Sequence, residues 1–412
     1  MNKKLILGLV LMMLISSIPV MGMETTTESG LTEEENQEEA VEEEVLQLTI
    51  EEAVQLAVES SWDIQTLDRN LRNIDDAIDA QEDLQDAIED DIDKYTDSLG
   101  SINGMSYAIM QNLGPTATYV DYLLIKRGFG VEQAKSQEVA LEETKKQTIE
   151  AIEIGAKSAY YEVLIAEKTL ELQEQLLKKA QQHKDIAQVK YDNGVATKLV
   201  KLQADSAYVS AKSDYQDAED TLKIKYLELN NTLGLDFEKE VDLLSQVGYT
   251  PTEEIELDSS IESALENRSD IKKLKAELEL QKEETGAYKS YYTPALQQYK
   301  DAEEKLLEAE HAYDQSFKDV ELDVRTKYLE LVKAERALNN MSESVAIARE
   351  SVRVSQLFYE YDLATLTDVI DAETALSQVE IGRYQLLISY NIAKMMFENS
   401  YDVGLLSSGG SF

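Results

Sequence analysis

The residues of this sequence that could do chemistry are almost all carboxylates. The chain contains 81 Asp and Glu residues, no Cys, and only two His residues, His183 and His311. It has no Gly-rich phosphate loop and no His-Glu metal motif, so the usual residues for nucleophilic, metal-assisted or phosphoryl-transfer chemistry are lacking. Both histidines stand in charged helical context, where ordinary surface side chains are expected. The sequence therefore predicts a protein that is not an enzyme and that uses no cofactor or metal.

Two groups of carboxylates are spaced closely enough to concentrate charge. Asp368 and Asp371 lie three residues apart, so they share one face of a helix. An earlier run of aspartates could bind a divalent cation, but it lacks the ligand spacing of an EF-hand, so we interpret it as a solvated face. The run consists of Asp75, Asp76, Asp79, Asp83, Asp86, Asp90 and Asp91. On spacing alone, Asp368 and Asp371 are also best interpreted as solvated side chains of an acidic protein.

The elements that position these residues must be long helices. Only four of the 412 residues are Pro, and residues 295–381 contain neither Gly nor Pro. A β or α/β domain of this size would need turn residues within such a span. The stretch 135–190, if fully helical, would be ~84 Å long at about 1.5 Å per residue. With 43% hydrophobic residues available for a core, the sequence predicts an all-α fold built as a coiled-coil rod or a helical tube.

Two stretches of the sequence repeat each other at an offset of 168 residues. Apolar positions recur every seven residues before a break that begins at Tyr191, and again before a break that begins at Tyr359, which predicts knobs-into-holes packing. The first series is Val163, Leu170, Leu177 and Lys184 with Ala166, Gln173, Ala180 and Ala187, and the second is Leu331, Leu338, Val345 and Val352 with Ala334, Met341, Ala348 and Ser355. Residues 48–67 also match residues 256–274, at an offset of 207. The difference between the offsets predicts a duplicated long-helix hairpin with a 39-residue insertion in the first copy, at roughly residues 88–126.

The predicted organisation follows from these repeats and from the composition of the ends. Residues 1–22 have the features of a secretory signal peptide, with an uncleaved anchor helix as the alternative, and residues 23–45 are predicted to be a disordered acidic linker. The other segments are a first repeat at 46–234, a connection at 235–255, a second repeat at 256–400 and a flexible tail at 401–412. The net charge of −42 makes nucleic acid an implausible partner and favours cationic partners or cargo.

The sequence resembles the TolC family of outer-membrane efflux proteins along nearly all of the mature chain. The resemblance rests on the LTIEEAVQLA start at residues 48–57, on its second copy with the Arg-Ser-Asp of residues 268–270, on the two breaks, and on the Asn-Asn-Thr-Leu-Gly of residues 230–234. It implies a homotrimer whose duplicated hairpins form a hollow α-barrel conduit. It further implies the exit duct of a tripartite efflux system, whose tapered end docks on a periplasmic-type adaptor protein and an inner-membrane pump of the ABC or RND class.

The resemblance also implies roles for particular residues. The two breaks correspond to helix-turn-helix tips that would dock the adaptor, at Asn193, Gly194 and Val195 and at Tyr361, Asp362 and Leu363. Asn-Gly is a strong reversal signal, and Asp is one of the few other residues tolerated in the left-handed region, so a turn is expected at both. A plain hairpin loop in a helical bundle is the alternative. Asp368 and Asp371 correspond to carboxylates that would ring a narrow, cation-attracting pore entrance.

One property of the family has no clear place in this chain, and that is its membrane β-barrel. A membrane-spanning strand needs about 9 to 11 residues, but the chain after Pro294 keeps helical spacing without Gly or Pro. Residues 88–126 have room for one short hairpin or a small helical cap. We therefore expect the β-barrel to be reduced or absent, which leaves membrane insertion doubtful for a protein exported to the cell envelope. An exported coiled-coil spacer or adhesin without transport activity is the alternative function.

Overall fold

The structure is a computed structural model of the chain, and it describes residues 45–249, 251 and 255–404. The predicted signal peptide lies outside the described residues, as do all but the last residue of the predicted acidic linker and the last eight residues of the predicted tail. Within the described residues the chain folds into ten helices and two short strands, which confirms the predicted all-α class. No helix in this part of the chain is both long and apolar enough to cross a membrane.

The helices occur in two series. The first series is β1 (Leu46–Leu48), α1 (Ile50–Ser60), α2 (Trp62–Leu99), α3 (Ser101–Leu113), α4 (Tyr119–Lys126), α5 (Phe129–Asp192) and α6 (Lys198–Leu233). The second series is β2 (Val241–Leu243), α7 (Leu257–Asn267), α8 (Ser269–Tyr291), α9 (Gln297–Glu360) and α10 (Leu366–Tyr401). α5 and α9 each have 64 residues, and α6 and α10 each have 36. In both pairs the second helix begins and ends 168 residues after the first.

Two long helical hairpins form the body of the fold. α5 packs along α6, and α9 packs along α10. At about 1.5 Å per residue, α5 and α9 are each ~96 Å long. One of the two heptad series predicted for α9 is buried, namely Leu331, Leu338, Val345 and Val352. The second series is half-buried: Ala334, Met341, Ala348 and Ser355. In α5, Val163 is buried but Leu170 and Leu177 are only half-buried, so the predicted heptad positions of α5 are less completely covered than those of α9.

A short parallel sheet, which the sequence did not indicate, ties the start of the first series to the connection between the series. β1 pairs with β2 along all three residues of each strand. The hydroxyl of the fully buried Tyr160 donates to the carbonyl of Leu48 at 3.0 Å and accepts from the N–H of Ser245 at 2.9 Å. The predicted irregular connection therefore contains an ordered strand that is bonded to the main hairpin.

The inserted segment of the first series is helical. α2 continues to Leu99, and α3 and α4 follow it. Of the two forms expected for this segment, a short hairpin or a small helical cap, the structure has the helical cap. Ile88, Ile109 and Tyr122 form the buried centre of this cap. Gly104 is needed where α3 crosses α2, because a Cβ atom at this position would overlap the backbone of Tyr95. The cap lies at the end of α5 opposite to the break between α5 and α6.

Candidate functional site at the helix-reversal tips

The first predicted tip is a compact helix reversal. The N–H of Val195 donates to the carbonyl of Lys190 at 2.9 Å, and the N–H of Gly194 donates to the carbonyl of Tyr191 at 2.9 Å. This pair of bonds is the Schellman motif that closes many helices, with Asn193 as the C-cap residue. Gly194 has a φ of 71°, in the left-handed region that glycine enters without steric cost.

The second tip repeats this geometry with a different residue at the strained position. The N–H of Leu363 donates to the carbonyl of Phe358 at 2.8 Å, and the N–H of Asp362 donates to the carbonyl of Tyr359 at 3.1 Å. Tyr361 is the C-cap residue. Asp362 has a φ of 59° and is the only residue other than glycine with a positive φ in the described chain. The turn is therefore retained, at a cost of up to about 1 kcal/mol relative to glycine.

Each tip leads into a helix that is capped by threonine. The hydroxyl of Thr197 accepts from the N–H of Val200 at 3.4 Å at the start of α6. At the equivalent position before α10, the N–H and the hydroxyl of Thr365 both donate to Oδ2 of Asp368 at 2.7 Å, and the N–H of Asp368 donates back to the hydroxyl at 3.3 Å. This reciprocal arrangement is a capping box. The first tip lacks the box because Val200 stands where the second tip has Asp368.

The two carboxylates predicted for a pore entrance differ in what they contact. The hydrogen bonds from the hydroxyl and then the backbone of Thr365 hold the pKa of Asp368 below its ordinary value. Asp371 makes no hydrogen bond or ion pair with the described residues, and both carboxylates are exposed. Asp368 is thus engaged in capping its own helix, while Asp371 can interact beyond the chain.

Both tips present apolar side chains to the outside at one end of the molecule. The exposed fractions are 77% for Val195, 70% for Tyr361 and 74% for Leu363. The tips are held next to each other by a small buried cluster of Ala187, Ala204 and Leu366, one residue each from α5, α6 and α10. The sequence-predicted tip residues are therefore brought together in space, although they are far apart along the chain.

Behind the tips, a buried carboxylate that the sequence analysis missed joins α10 to α5. Glu373 is only 5% exposed. Nε2 of His183 lies 3.2 Å from Oε2 of Glu373, Nε2 of Gln356 donates to Oε1 at 2.9 Å, and Nζ of Lys179 lies 3.5 Å from Oε1. Burial alone would raise the pKa of the Glu373 carboxyl, but the contacts with His183, Lys179 and Gln356 hold it below its ordinary value.

The contact between His183 and Glu373 corrects the expectation that His183 lies on the surface. His183 was expected on the surface, but it is half-buried because its ring faces the buried acid. His311 is exposed, as expected. Glu373 stands seven residues after the buried Leu366, which places an acid in a heptad core position. An acid in such a position indicates a buried polar partner on a neighbouring helix.

The described residues do not form a metal centre, since no three His, Asp or Glu side chains are placed to hold an ion. Most of the aspartate run on α2 is exposed, and Asp91 accepts from Nδ2 of Asn112 at 2.9 Å. A cavity of about 390 Å³ lies beside Glu373 between α5, α6 and α10. Its lining is mixed, with the buried hydroxyl of Ser377 lacking a hydrogen-bond partner among the described residues.

Comparisons with known proteins agree with this geometry. Residues 108–235 match the family model described as outer membrane efflux protein, and no curated protein matches significantly. A membrane protein from Pseudomonas aeruginosa has a similar fold, with a TM-score of 0.67 and 13% identity over 93% of this chain and 98% of that one. The Campylobacter jejuni outer membrane channel CmeC matches with a TM-score of 0.60 and 13% identity, over 95% of this chain and 96% of that one. The Vibrio cholerae outer membrane protein VceC matches with a TM-score of 0.54 and 15% identity, over 68% of this chain and 77% of that one.

Two equal hairpins with matching tips form an all-α fold that the protein shares with these structures. At such low identities the structural likeness establishes the fold alone. Together with the family match over residues 108–235, it confirms the resemblance to the TolC family of outer membrane efflux proteins. The matched family is a transport family, and no catalytic family is indicated.

Proposed function

We propose that the protein is the exit-duct component of a tripartite export system. Three copies would form a helical tube whose tips dock on an adaptor protein, and the adaptor would connect the tube to an inner-membrane pump of the ABC or RND class. The observation that carries this proposal is the pair of tips, which have the same hydrogen-bonded turn and expose apolar side chains at one end. Exposed apolar groups gathered at one place are typical of a protein-binding surface.

The equal helix lengths support a duplicated unit, with a first repeat at 46–234 and a second at 256–400. A duct whose wall is built from six similar hairpins needs each chain to supply two of them. A coiled-coil spacer would gain nothing from a second tip in the same register. The repeated unit thus favours the duct over the spacer or adhesin.

The carboxylates near the second tip fit an entrance that favours cations. In a trimer, Asp371 of each copy would contribute one unpaired carboxylate near the tapered end, and a ring of carboxylates attracts cations. Asp368 would add charge at the same level while retaining its capping role. We propose Asp371 as the main entrance carboxylate.

We propose a location in the cell envelope. The similar structures are named as outer membrane proteins and channels, and the matched family carries the same description. The net charge of −42 agrees with cationic cargo, because a strongly acidic protein attracts cations.

Cross-linking of the tips to an adaptor tests the docking role. The chain contains no cysteine, so a single Val195→Cys or Leu363→Cys variant places one thiol at each tip. Each should form an adduct with cysteine-substituted hairpins of an adaptor encoded beside this protein. Ile102→Cys is the matched control, because Ile102 is also highly exposed but lies on the cap at the opposite end. Adducts at Ile102 alone, or at no position, would support the spacer instead.

A further inference from the structure

Another cavity of the described chain lies where its two halves meet, far from the tips. Its volume is about 300 Å³, and residues of α5 in the first half and of α7 and α10 in the second half line it. Asn399, one of these residues, follows the first residue of α10 by 33 positions, which is ~50 Å at about 1.5 Å per residue. The cavity is therefore separate from the tips and from the space beside Glu373.

The charged side chains of this cavity are mostly carboxylates. Glu150 on α5, Glu398 on α10 and Asp402 at the end of α10 line it. The carboxylates of Glu398 and Asp402 are exposed and make no hydrogen bond or ion pair with the described residues. Among the described residues that line the cavity, Lys157 is the only cation, and its Nζ lies 3.2 Å from Oε2 of Glu153. The cavity therefore has an excess of negative charge that its own lysine does not compensate.

Asn399 adds a buried acceptor without a donor. The residue is only 5% exposed. Its Nδ2 donates to Oε2 of Glu150 at 2.6 Å, and this bond fixes the orientation of the amide, because an ionised carboxylate can only accept. Oδ1 of the same amide is buried and has no hydrogen-bond partner among the described residues. An unpaired buried acceptor is costly, so it indicates a bound group that donates a hydrogen bond at this place.

The pKa values of two groups at the cavity reflect the same excess of negative charge. Burial raises the pKa of the Glu150 carboxyl, and the charges of two nearby carboxylates raise it further, while the hydrogen bond from Asn399 opposes them. Burial also raises the pKa of the Tyr401 hydroxyl, together with the charges of Glu398 and Asp402. An ordered water could donate to Asn399, but it would leave this charge uncompensated. A cation with a hydrogen-bond donor satisfies both requirements.

The chemistry of the cavity indicates the kind of cation. A directly bound metal ion is disfavoured, because no three His, Asp or Glu side chains of the described chain are placed to hold one. A primary ammonium group instead carries its positive charge on three N–H donors, which suits a set of carboxylates with one unpaired amide oxygen. Met395 and Tyr401 also line the cavity, so a short aliphatic chain attached to the ammonium group would have apolar contacts.

We propose that this cavity binds a small organic cation with a primary ammonium group, such as an aliphatic diamine. Oδ1 of Asn399 and the carboxylate of Glu150 accept its N–H groups, and Asp402 adds compensating charge. Because Glu150 belongs to the first half of the chain and the other two residues to the second, the bound cation joins the two halves. The site lies within one chain, so the inference goes beyond the exit duct and does not depend on the tips or on assembly.

Isothermal titration calorimetry of the full chain with 1,4-diaminobutane tests the site, in about 0.15 M salt to screen the attraction between exposed charges. We expect one diamine to bind per chain. Glu150→Gln and Asp402→Asn should each weaken binding by roughly tenfold to hundredfold, since each removes a charged partner of the ammonium group. Glu142→Gln is the matched control, because Glu142 is an exposed acid on the same helix that does not line the cavity. An equal loss of affinity in Glu142→Gln, or no binding by the unchanged chain, would overturn the proposal.

Two further ligands separate hydrogen bonding from charge, and a free amine from a protein side chain. Tetramethylammonium has the charge without N–H donors, so it should bind at least about tenfold more weakly than the diamine. Equal binding of the two would overturn the proposal. A lysine side chain of another protein carries the same ammonium group. Binding of an acetylated Gly-Lys-Gly peptide in place of the diamine would retain the ammonium site and assign its ligand to a partner protein.

Asn399→Ala tests whether the amide oxygen recognises the N–H groups. This variant should lose the preference for the diamine over tetramethylammonium, whereas a residue with a merely structural role would leave that preference unchanged. Circular dichroism checks that the variant is folded. If it is not, Asp402→Asn keeps the test available, because Asp402 is exposed.

Hydrogen–deuterium exchange locates the bound diamine independently. Binding should slow the exchange of backbone amides in residues 147–157 and 395–404, and it should leave the tips at residues 190–197 and 358–365 unchanged. Slower exchange at the tips alone would place the cation elsewhere and overturn the proposal. A chain that binds the diamine at this site but exports no cargo would retain the inference and refute the exit duct, so the two outcomes can be told apart.

Discussion

The guanidinium of Arg268 holds the carboxylate of Asp270 by two parallel hydrogen bonds, from Nη2 at 2.7 Å and from Nε at 3.2 Å. Its remaining nitrogen, Nη1, contacts Asp323 on α9 at 2.5 Å and the carbonyl of Ser400 on α10 at 3.1 Å. The Arg-Ser-Asp motif was used in the sequence analysis only as evidence for the family resemblance. In the structure its arginine connects α8, α9 and α10. Arg268 itself is almost completely buried.

We expect Arg268→Ala to destabilise the protein by about 1.5–3 kcal/mol, because the buried guanidinium makes charge-assisted hydrogen bonds to Asp270 and Asp323, whose carboxylates remain partly exposed to water. Arg268→Lys should be intermediate, since a lysine ammonium cannot form the two-point contact. Urea unfolding followed by circular dichroism measures the change. Arg353→Ala is the matched control, because Arg353 pairs only with Glu350 on the surface, and such pairs contribute about 0–1 kcal/mol. Equal losses of stability in Arg268→Ala and Arg353→Ala would contradict the conclusion that Arg268 connects the three helices.

Gly194 and Asp362 occupy the same left-handed position in the two tips. Exchanging glycine and aspartate at these positions should change the stability in opposite directions. Asp362→Gly should raise the free energy of unfolding by up to about 1 kcal/mol, because glycine removes the steric cost of a positive φ. Gly194→Asp should lower it by a similar amount. Differential scanning calorimetry of both variants tests this, with Tyr361→Ala as a control of similar exposure but ordinary φ. A loss of stability in Asp362→Gly would show that the aspartate makes a compensating contact.

Asp368 and Asp371 should be separable by mutation. Asp368→Ala removes the capping box and should lower the midpoint of urea unfolding, because the backbone N–H and the hydroxyl of Thr365 lose their acceptor. Asp371→Ala should change stability by no more than about 0.5 kcal/mol, as for other exposed positions away from special contacts. If Asp371 lines the entrance, however, export of a cationic dye by cells that carry the complete system should fall in Asp371→Ala. Unchanged export would remove Asp371 from the entrance without affecting the capping role of Asp368.

The Glu373 contact predicts a dependence of stability on pH. The folded-state pKa of Glu373 lies below its ordinary value of 4.5, so its contribution is complete above that value and is lost as the pH falls through the folded pKa. Glu373→Gln should therefore cost about 1–3 kcal/mol at pH 7 and less at pH 3. Unfolding by urea at both pH values measures the difference. Glu398→Gln is a control on the same helix, because Glu398 is exposed, and a cost for Glu373→Gln that stays the same at both pH values would contradict this account.

Much of the fold could be predicted because its signals are local and repeated. The absence of Gly and Pro over residues 295–381 indicated the long helix α9, and the Asn-Gly of the first break indicated a reversal. The second break could be aligned with the first only through the offset of 168 residues, since Asp362 is a weak turn signal on its own. Periodicity and turn chemistry were thus sufficient for the hairpins and for the position of the tips.

The remaining features depend on which helices meet in space. β1 and β2 are three residues long, too short for an alternating pattern to be recognised. The pairing of His183 with Glu373 requires that α5 of one half faces α10 of the other, and no local pattern specifies this. The same is true of Arg268, whose partners lie on two later helices. Contacts between the halves are therefore where the structure adds most to the sequence.

The bond network of Tyr160 has a consequence for the order of folding. β1 is the first strand of the described chain, but its partner residues follow about 195 positions later, and the hydroxyl of Tyr160 needs both Leu48 and Ser245. Contacts between residues so far apart in sequence form slowly, because a long loop must close first. A chain that emerges from its N-terminus can complete the α5–α6 hairpin early. β1 must nevertheless stay unpaired until the connection between the two halves has emerged. Pairing of β1 with β2 can therefore occur only after more than half of the chain has been synthesised.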